Sequence, residues 1–583
     1  MAIENLITDH LDLWTAAVRP KSSAGRGSNS KLELTGIKKL RELILELAVR
    51  GKLVPQDPND EPASVLLERI AAEKTLLVKE GKIKKPKALP EIGEEDKPFE
   101  LPEGWEWRRL PDICDYFPGK TPSTKNPIYW GELDIDTPWV SISDMQHSGI
   151  VNLTSKKITT RAVDDVFKRG PTPAGTILMS FKLTVGKISY LGFDAYHNEA
   201  ILSIYPFSGI SKEFLFHFLP SIALRGNTKN AIMGNTLNAE SLSMLQIPIP
   251  PEDEQHRIVA KVDELMALCD QLELRSEVQL AAHQTLVEAL LATLTDSADA
   301  DELAQNWARL STHFDILFTT EASIDALKQT ILQLAVMGKL VPQDPSDEPA
   351  SVLLKRIAAE KSILIKKGEI KNSLSTDSVI MDNCNWALSS GWSSIELQHI
   401  FRFIDYRGKN PEKSSHGVRL ITAKNIRNGV IKNEPIEYIS KELYDEWMVR
   451  GFPKQRDILF ITEGHTMGFV AQVNLDFKFA LAQRTICLQP YSEIVPEYLL
   501  IALMTMQFQK SVKDNETGSA AGGIKASKLK RLLLPIPPLA EQARIVSKAE
   551  RLSSLCDQLK SRLQTSQQTQ LALAEALVEG ALS

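Results

Sequence analysis

The sequence has little of what announces a membrane protein, a secreted protein or a self-contained enzyme. Across 583 residues no apolar run approaches the roughly 20 residues a membrane-spanning helix needs. The opening stretch MAIENLITDHLDLW sets acids inside its apolar pattern and carries no basic leader. It does not read as a signal peptide, and a cytoplasmic location is expected. The cysteines (Cys114, Cys269, Cys384, Cys487 and Cys556) form no CxxC pair and no zinc spacing. Cys269 and Cys556 lie on apolar helical faces, where buried packing is the expected role. No GxxxxGK[ST] loop is present: Gly518, Gly522 and Gly523 have the wrong spacing and no Lys-Ser/Thr follows them. HExxH and GxSxG are missing too. Glu80-Gly-Lys82 has the ExK form of a nuclease strand, but it sits in a helical segment whose counterpart reads Lys367-Gly-Glu369. Asn126-Pro-Ile-Tyr129 is one proline short of the amino-methyltransferase loop, and no glycine-rich cofactor loop precedes it. A net charge of −6 is the wrong sign for a uniformly basic nucleic-acid binder, although whole-chain charge can conceal a local basic face. Apolar and charged fractions of 43% and 24% are those of an ordinary globular protein.

What the sequence does have is one unit written twice. AVRGKLVPQDPNDEPASVLLERIAAEK at Ala48–Lys74 returns at Ala335–Lys361, altered only at Arg50/Met337, Asn59/Ser346 and Glu68/Lys355, a shift of 287 residues. The same shift relates Trp105 to Trp392, Pro250-Pro251 to Pro537-Pro538, Gln255 to Gln542, Arg257 to Arg544 and Cys269-Asp270 to Cys556-Asp557. Two copies are too few for a solenoid, so a pseudo-two-fold molecule is expected. His313-Phe-Asp315 echoes His10-Leu-Asp12, which makes the repeat cyclic and predicts that the two ends of the chain meet.

Within each copy the texture alternates. Ile37, Leu40, Ile44 and Leu47 mark an amphipathic helix ending at Gly51; after a proline-rich turn a second helix starts near Pro62 and runs through Val65, Leu66, Ile70 and Leu77. From Trp105 the short runs WVSIS, TILMSF, KISYL and AILSIY predict strands, and in the second copy VRLITA, DILFIT, FVAQV and RTICLQ do the same. Each β-rich region closes on a Pro-Ile-Pro-Pro run, followed by a seam of threes and fours: Ile258, Val262, Leu265, Cys269, Leu272, continuing at Leu286, Leu290 and Leu294; and Ile545, Ala549, Leu552, Cys556, Leu559. The expected organisation is an N-terminal helical region (1–98), a first β-rich domain (99–251), a central helical spacer (252–380), a second β-rich domain (381–538) and a C-terminal helical spacer (539–583). The fold class is α+β: two mixed α/β domains joined by long antiparallel, coiled-coil-like helices.

The helical parts are near-copies, whereas the β-rich parts share little beyond Trp105/Trp392 and the pairs Arg169-Gly170 and Arg450-Gly451. Parts kept alike imply one duty done twice, such as docking two identical partners; parts that differ imply two targets read separately. The β-rich regions carry cations and small polar residues in turns, where a nucleic-acid reader holds them. Lysine neutralises phosphate, and Arg, Asn and Gln pair with base edges. The DNA-contact candidates are Lys120, Thr121, Ser123, Lys125, Ser143, Lys182, Thr184, Lys187 and Asn235 in the first region. In the second they are Arg407, Lys409, Thr422, Lys424, Asn425, Arg427, His465 and Lys525. Catalytic and metal-ligating residues are expected to be absent.

This layout resembles the specificity subunit of type I restriction–modification systems, and the likeness covers nearly the whole chain. It is carried by GWEWRRL and GWSSIEL opening the variable regions, and by IPIPPEDEQHRIV and LPIPPLAEQARIV closing them. The AVxGKLVPQDPxDEPASVLLxRIAAEK repeat is similar to that of the type IB subgroup. The resemblance implies a subunit without catalysis of its own that reads a bipartite, asymmetric target in double-stranded DNA, one domain per half-site, with the spacers setting the gap. It implies two modification subunits that hold S-adenosylmethionine and methylate adenine, and restriction subunits that add ATP- and Mg-dependent translocation and cleavage. No cofactor is expected in this chain. A spacer helix of roughly 40 residues is about 60 Å long, enough to hold two domains against half-sites one DNA turn, roughly 34 Å, apart. The turns Gly51–Ala63 and Gly338–Ala350 are candidate docking surfaces for the modification subunits. Two other readings predict different behaviour: a fused enzyme would bind S-adenosylmethionine, and a coiled-coil adaptor for protein would show no salt-dependent DNA affinity.

Overall fold

The computed structural model describes residues 3–20, 32–83, 89–131, 136–225, 229–231, 234–370, 388–406, 410–517 and 522–582. Two compact units emerge: Met1–Glu277 together with Gln567–Ser583, and Val278–Ser566. Both are assembled on the same plan, so one mixed α/β layout occurs twice.

In the first unit, helix Thr35–Val49 buries Ile37, Leu40, Leu43, Ile44 and Leu47 on one side. It stops at Gly51, whose φ of +67° belongs to the left-handed region. A side chain there would also meet Pro102, 2.4 Å from an added Cβ, so only glycine fits. The next residue has its own task. The last carbonyls of any helix lack intrahelical partners, and Lys52 Nζ donates to Leu582 O at 3.0 Å at the end of helix Leu539–Leu582. In the second unit Lys339 does the same for the end of helix Glu252–Asp296, donating to Thr295 O at 2.8 Å and Ser297 O at 2.7 Å. Each repeat thus caps a long helix with a cation at its negative end, and the last turn of the chain lies against the first helical hairpin.

Ion pairs give the helix directions inside each unit. Helix Thr35–Val49 meets Glu575 through Lys39 and Leu582 through Arg50, so it runs parallel to the last helix. It meets Asp270 and Glu273 through Arg41, while the turn beyond its end reaches Glu254 through Gln56, so it runs antiparallel to helix Glu252–Asp296. The two long helices are therefore antiparallel to one another in this unit. In the second unit helix Glu321–Val336 runs against the last helix through Gln564–Glu321, Lys560–Asp325 and Lys328–Asp557.

The seam reading needs one correction. Ile258, Val262, Leu265, Cys269 and Leu294 are buried as expected, but Leu286 is 52% exposed, and the core takes Val287 and Leu291 beside Leu294. Cys269 to Val287 is 18 residues, about five straight-helix turns of 3.6, whereas a strict heptad drifts off the packed side by roughly 20° per repeat. Cys114, Cys269, Cys487 and Cys556 are all buried thiols without disulfides; Cys384 lies outside the described residues.

Each α/β domain is built on a mainly antiparallel sheet; in the first domain the edge strand Gly149–Val151 pairs in parallel with Ile188–Leu191. The first has strand order Cys114–Pro118, Ile201–Pro206, Ile177–Ser180, Ile188–Leu191, Gly149–Val151; the second has Phe401–Asp405, Thr485–Pro490, Ile458–Ile461, Val470–Gln472. Beside it lies a smaller sheet with one parallel pair, Thr137–Val140 with Tyr196–His197, or Val418–Ile421 with Phe479–Leu481. The strand following the recurring tryptophan pairs with the one leading into the Pro-Pro run: Glu106–Arg109 with Gln246–Ile249, and Ser393–Glu396 with Leu533–Ile536. Among the described residues no helix is long and apolar enough to cross a membrane.

Candidate nucleic-acid interface

The recurring residues form one clamp, present in each unit. Trp105 Nε1 donates to Glu254 Oε2 at 2.9 Å, and Trp392 Nε1 donates to Glu541 Oε2 at 3.1 Å. Arg257 grips Asp60 with two bonds of 3.1 and 2.5 Å; Arg544 grips Asp347 at 3.3 and 2.6 Å. Gln255 and Gln542 accept from Ser211 N and Val495 N. Lys74 and Lys361 reach the carbonyls of Pro111 and Gln398. Burial pushes the Glu254 carboxyl upward, against the opposing pull of Trp105 and Gln56. This clamp fastens the helical hairpin, the start of a long helix and the root of the α/β domain to each other. It accounts for why these positions recur at a shift of 287. The exposed tip residues Pro55, Gln56, Asp57 and Pro58 lead into Asp60, and Pro342, Gln343, Asp344 and Pro345 lead into Asp347.

At the sheet end away from that root, loops converge. In the first domain Lys120 N donates to His197 O (2.9 Å), Asn198 N to Val140 O (2.9 Å), Phe181 N to Ala200 O (3.0 Å) and Leu237 N to Phe181 O (2.9 Å). Lys187 Nζ donates to Ile142 O at 3.0 Å, tying two of these loops. The pairing of Lys182 with Thr236 and Leu183 with Asn235 adds a third. Lys120, Ser143, Lys182, Thr184, Lys187 and the Asn235 backbone are thereby brought into one cluster. In the second domain the same bonds recur: Ala482 N to Ile421 O (3.0 Å), Thr462 N to Arg484 O (2.8 Å) and Ile524 N to Thr462 O (2.9 Å). Thr422, Lys424, Asn425, His465 and Lys525 gather there.

A shared turn organises both clusters. Ser141 N and Oγ donate to Asp144 Oδ2 at 2.8 and 2.6 Å, and Thr422 N and Oγ1 both donate to Asn425 Oδ1 at 3.0 Å. Burial works to raise the Asp144 carboxyl, but the bonds from Ser141 and Ser155 outweigh it and hold the group below the usual carboxylate range. Ser143 and Lys424 occupy equivalent, exposed positions on this turn, and Thr184 and His465 are exposed equivalents on the next loop. The scaffold is common to both domains, and the side chains it displays are not.

Several candidates prove to be scaffold. Asn425 is fully buried, and its Nδ2 donates to Lys432 O (3.1 Å) and Pro435 O (3.0 Å), so nothing of its amide remains for a base. The Lys187 ammonium is engaged by the Ile142 carbonyl. Arg427 Nη1 donates to Ile426 O at 2.9 Å, which leaves the rest of the guanidinium for a ligand. Lys182 rests over the Phe181 ring at 5.1 Å. Thr121 has a buried hydroxyl without a hydrogen-bond partner, whereas Ser123 and Lys125 are exposed. Arg407 and Lys409 lie outside the described residues, and for Asn235 only the backbone is described. Other basic turns serve the fold: Lys156 packs over Trp130, Arg161 pairs with Asp165, and Arg169 stacks on Phe117 at 3.6 Å. Asn126 caps the short helix Pro127–Tyr129 by accepting from Ile128 N. Among the described residues no His/Cys/Asp/Glu group is arranged to hold a metal. Arg484, absent from the sequence candidates, is an exposed cation inside the second cluster; RTICLQ reads as strand, but the strand begins one residue later, at Thr485.

Residues 102–281 and 390–566, more than half the chain, match the family described as Type I restriction modification DNA specificity domain. The chain belongs to that family. The specificity subunit of the type I restriction enzyme EcoAI of Escherichia coli is 42% identical over the full length of both chains. That of EcoEI, also from Escherichia coli, is 41% identical over both full lengths. A solved structure described in terms of complex assembly and conformational transition of the type I R-M system covers 83% of this chain and 99% of its own, at 18% identity and a TM-score of 0.48. The two matched segments begin just before the clamp tryptophans, and each takes in the tryptophan, glutamate and arginine of one clamp and one loop cluster.

Proposed function

We propose that this specificity subunit reads a bipartite, asymmetric DNA target, the loop cluster of each α/β domain reading one half-site, while the helices set the gap. The observation that carries this reading is the pairing of a common scaffold with unlike display: Ser143 against Lys424 on turns closed by the same hydrogen bonds, and Thr184 against His465 on the next loop. Cations in each cluster suit the phosphates, and the polar tips suit base edges. The repeated clamp and its exposed Pro-Gln-Asp-Pro tips support a duty done twice, and we assign it to the docking of two modification subunits. In this reading the chain does no catalysis and holds no cofactor. S-adenosylmethionine belongs to the modification subunits, which methylate adenine; ATP and Mg belong to the restriction subunits. The type IB placement and a cytoplasmic location are part of the same proposal, and the family match gives no support to a protein-binding adaptor.

The test is selection of random DNA by the chain co-purified with its modification subunit, at moderate salt. Two short motifs at a fixed gap are expected. Lys182→Ala should weaken the first motif alone and Arg427→Ala the second alone. A bound pool without motifs, despite normal complex formation, would defeat the reading.

A further inference from the structure

Among the described residues, four that are not glycine have positive φ: Ser148, Leu183, Arg456 and Arg484. Such backbone is unfavourable for L-residues, and it persists only where the surroundings impose it. Arg456 is bound on both sides of its fork by Glu497, at 2.9 and 2.6 Å, and so serves the fold. Arg484 differs. Its φ is +77° and its side chain is 53% exposed; the carboxylate nearest to its Nε, that of Glu463, is 4.0 Å away.

The cause of the strained backbone is local. Residues 482–484 carry the chain from the parallel strand Phe479–Leu481 of one sheet to strand Thr485–Pro490 of the other. Both ends are fixed: Ala482 N bonds Ile421 O, and Thr485 stands in register opposite Ile461. The Arg484 carbonyl accepts from both Thr462 N (2.8 Å) and Thr462 Oγ1 (3.1 Å), and Thr462 is fully buried. In the first domain the equivalent crossover solves the same problem without strain. There Asn198 Oδ1 accepts from Ala200 N at 2.5 Å in a side-chain turn, and no residue of that crossover has positive φ. The second domain therefore places an arginine where glycine would sit more easily, at the centre of its loop cluster.

Resting on the proposed reading of this chain as a two-domain DNA reader, we infer that Arg484 is a specificity-determining residue of the second half-site. Its guanidinium pairs bidentately with O6 and N7 of a guanine in the major groove. A phosphate contact needs only charge, which lysine would supply as well; the planar fork of arginine matches guanine. Glu463 is close enough to hold the fork loosely until DNA arrives.

The experiment compares wild type, Arg484→Ala, Arg484→Lys and Arg484→Gly, each co-purified with the modification subunit, by selection from random DNA and by thermal unfolding. One position of the second motif should be guanine in the wild type. It should lose its preference by roughly 5- to 150-fold in all three variants, with the first motif and the gap unchanged. Arg484→Gly should unfold no earlier than wild type, because it relieves the backbone; a purely structural arginine would not pair loss of one base with retained stability. Retention of every base preference by Arg484→Lys, or uniform weakening across all sequences, would overturn the inference and leave a phosphate contact. A wild-type pool without any second motif would instead defeat the underlying reading.

Discussion

Asn425→Ala is the perturbation that best separates scaffold from reader. The side chain accepts from Thr422 N and Oγ1 and donates to Lys432 O and Pro435 O, all at 3.0 to 3.1 Å. Alanine leaves the Thr422 amide and two carbonyls to find other partners beneath a residue with 0% exposure. An unmade buried hydrogen bond costs about 1–3 kcal/mol. Thr422 is only half-buried and water reaches part of the loop, so a total of about 2–4 kcal/mol is expected. Asn425→Asp should do no better. It keeps the acceptor for Thr422 but loses both donors and sets a carboxylate against two carbonyl oxygens. Asp144 stands at the same point of the first domain only because its other oxygen accepts from Ser155 N at 2.9 Å. The assay is urea unfolding of the purified chain beside selection from random DNA. Both variants should unfold earlier and lose the second motif as a whole, with the first motif intact. Unchanged unfolding together with an altered preference at one base would refute the argument and return Asn425 to the base-reading set.

Other consequences can be checked separately. Gly51→Ala forces alanine into φ +67° with its Cβ 2.4 Å from Pro102, for an expected loss of about 2–4 kcal/mol. Gly338→Ala meets mainly the Ser389 hydroxyl, which can rotate away, so a smaller loss of about 1–2 kcal/mol is expected; equal losses in unfolding experiments would contradict the packing argument. The Asp144 carboxyl is held below its ordinary value. Its stabilising contribution is therefore complete above the unfolded carboxylate pKa, about 3.9, and is lost as pH falls through the lower folded value. The stability difference between wild type and Asp144→Asn should accordingly shrink on acidification from pH 7 towards pH 3. A difference that stays flat would show that the Ser141 and Ser155 bonds do not favour the charged form.

Much of the helical half of each unit was legible in the sequence. Apolar spacing placed Ile37, Leu40 and Ile44 on the buried side, and the 287-residue shift marked Trp105, Gln255 and Arg257 as parts of something made twice. What they make, a tryptophan–carboxylate and arginine–carboxylate clamp, joins residues as far apart as Asp60 and Arg257, and no local pattern reports such a contact. The reading face was less legible. Turn chemistry selected exposed residues such as Ser143, Lys424 and His465, but it selected Asn425 for the same reason, because one amide can serve a base or close its own loop.

By itself, then, the sequence determined the duplication, the helical and β-rich segments, and the family, since these depend on periodicity and on side chains close together along the chain. Only the tertiary structure decided which polar groups are already used and which face outward. Lys187 and Asn425 are engaged, while Arg484 is held outward on strained backbone. The physical reason is that a hydrogen bond is fixed by distance in space. Strands far apart in sequence bring Thr462 to the Arg484 carbonyl, and that contact sets both the strain and the direction of the side chain.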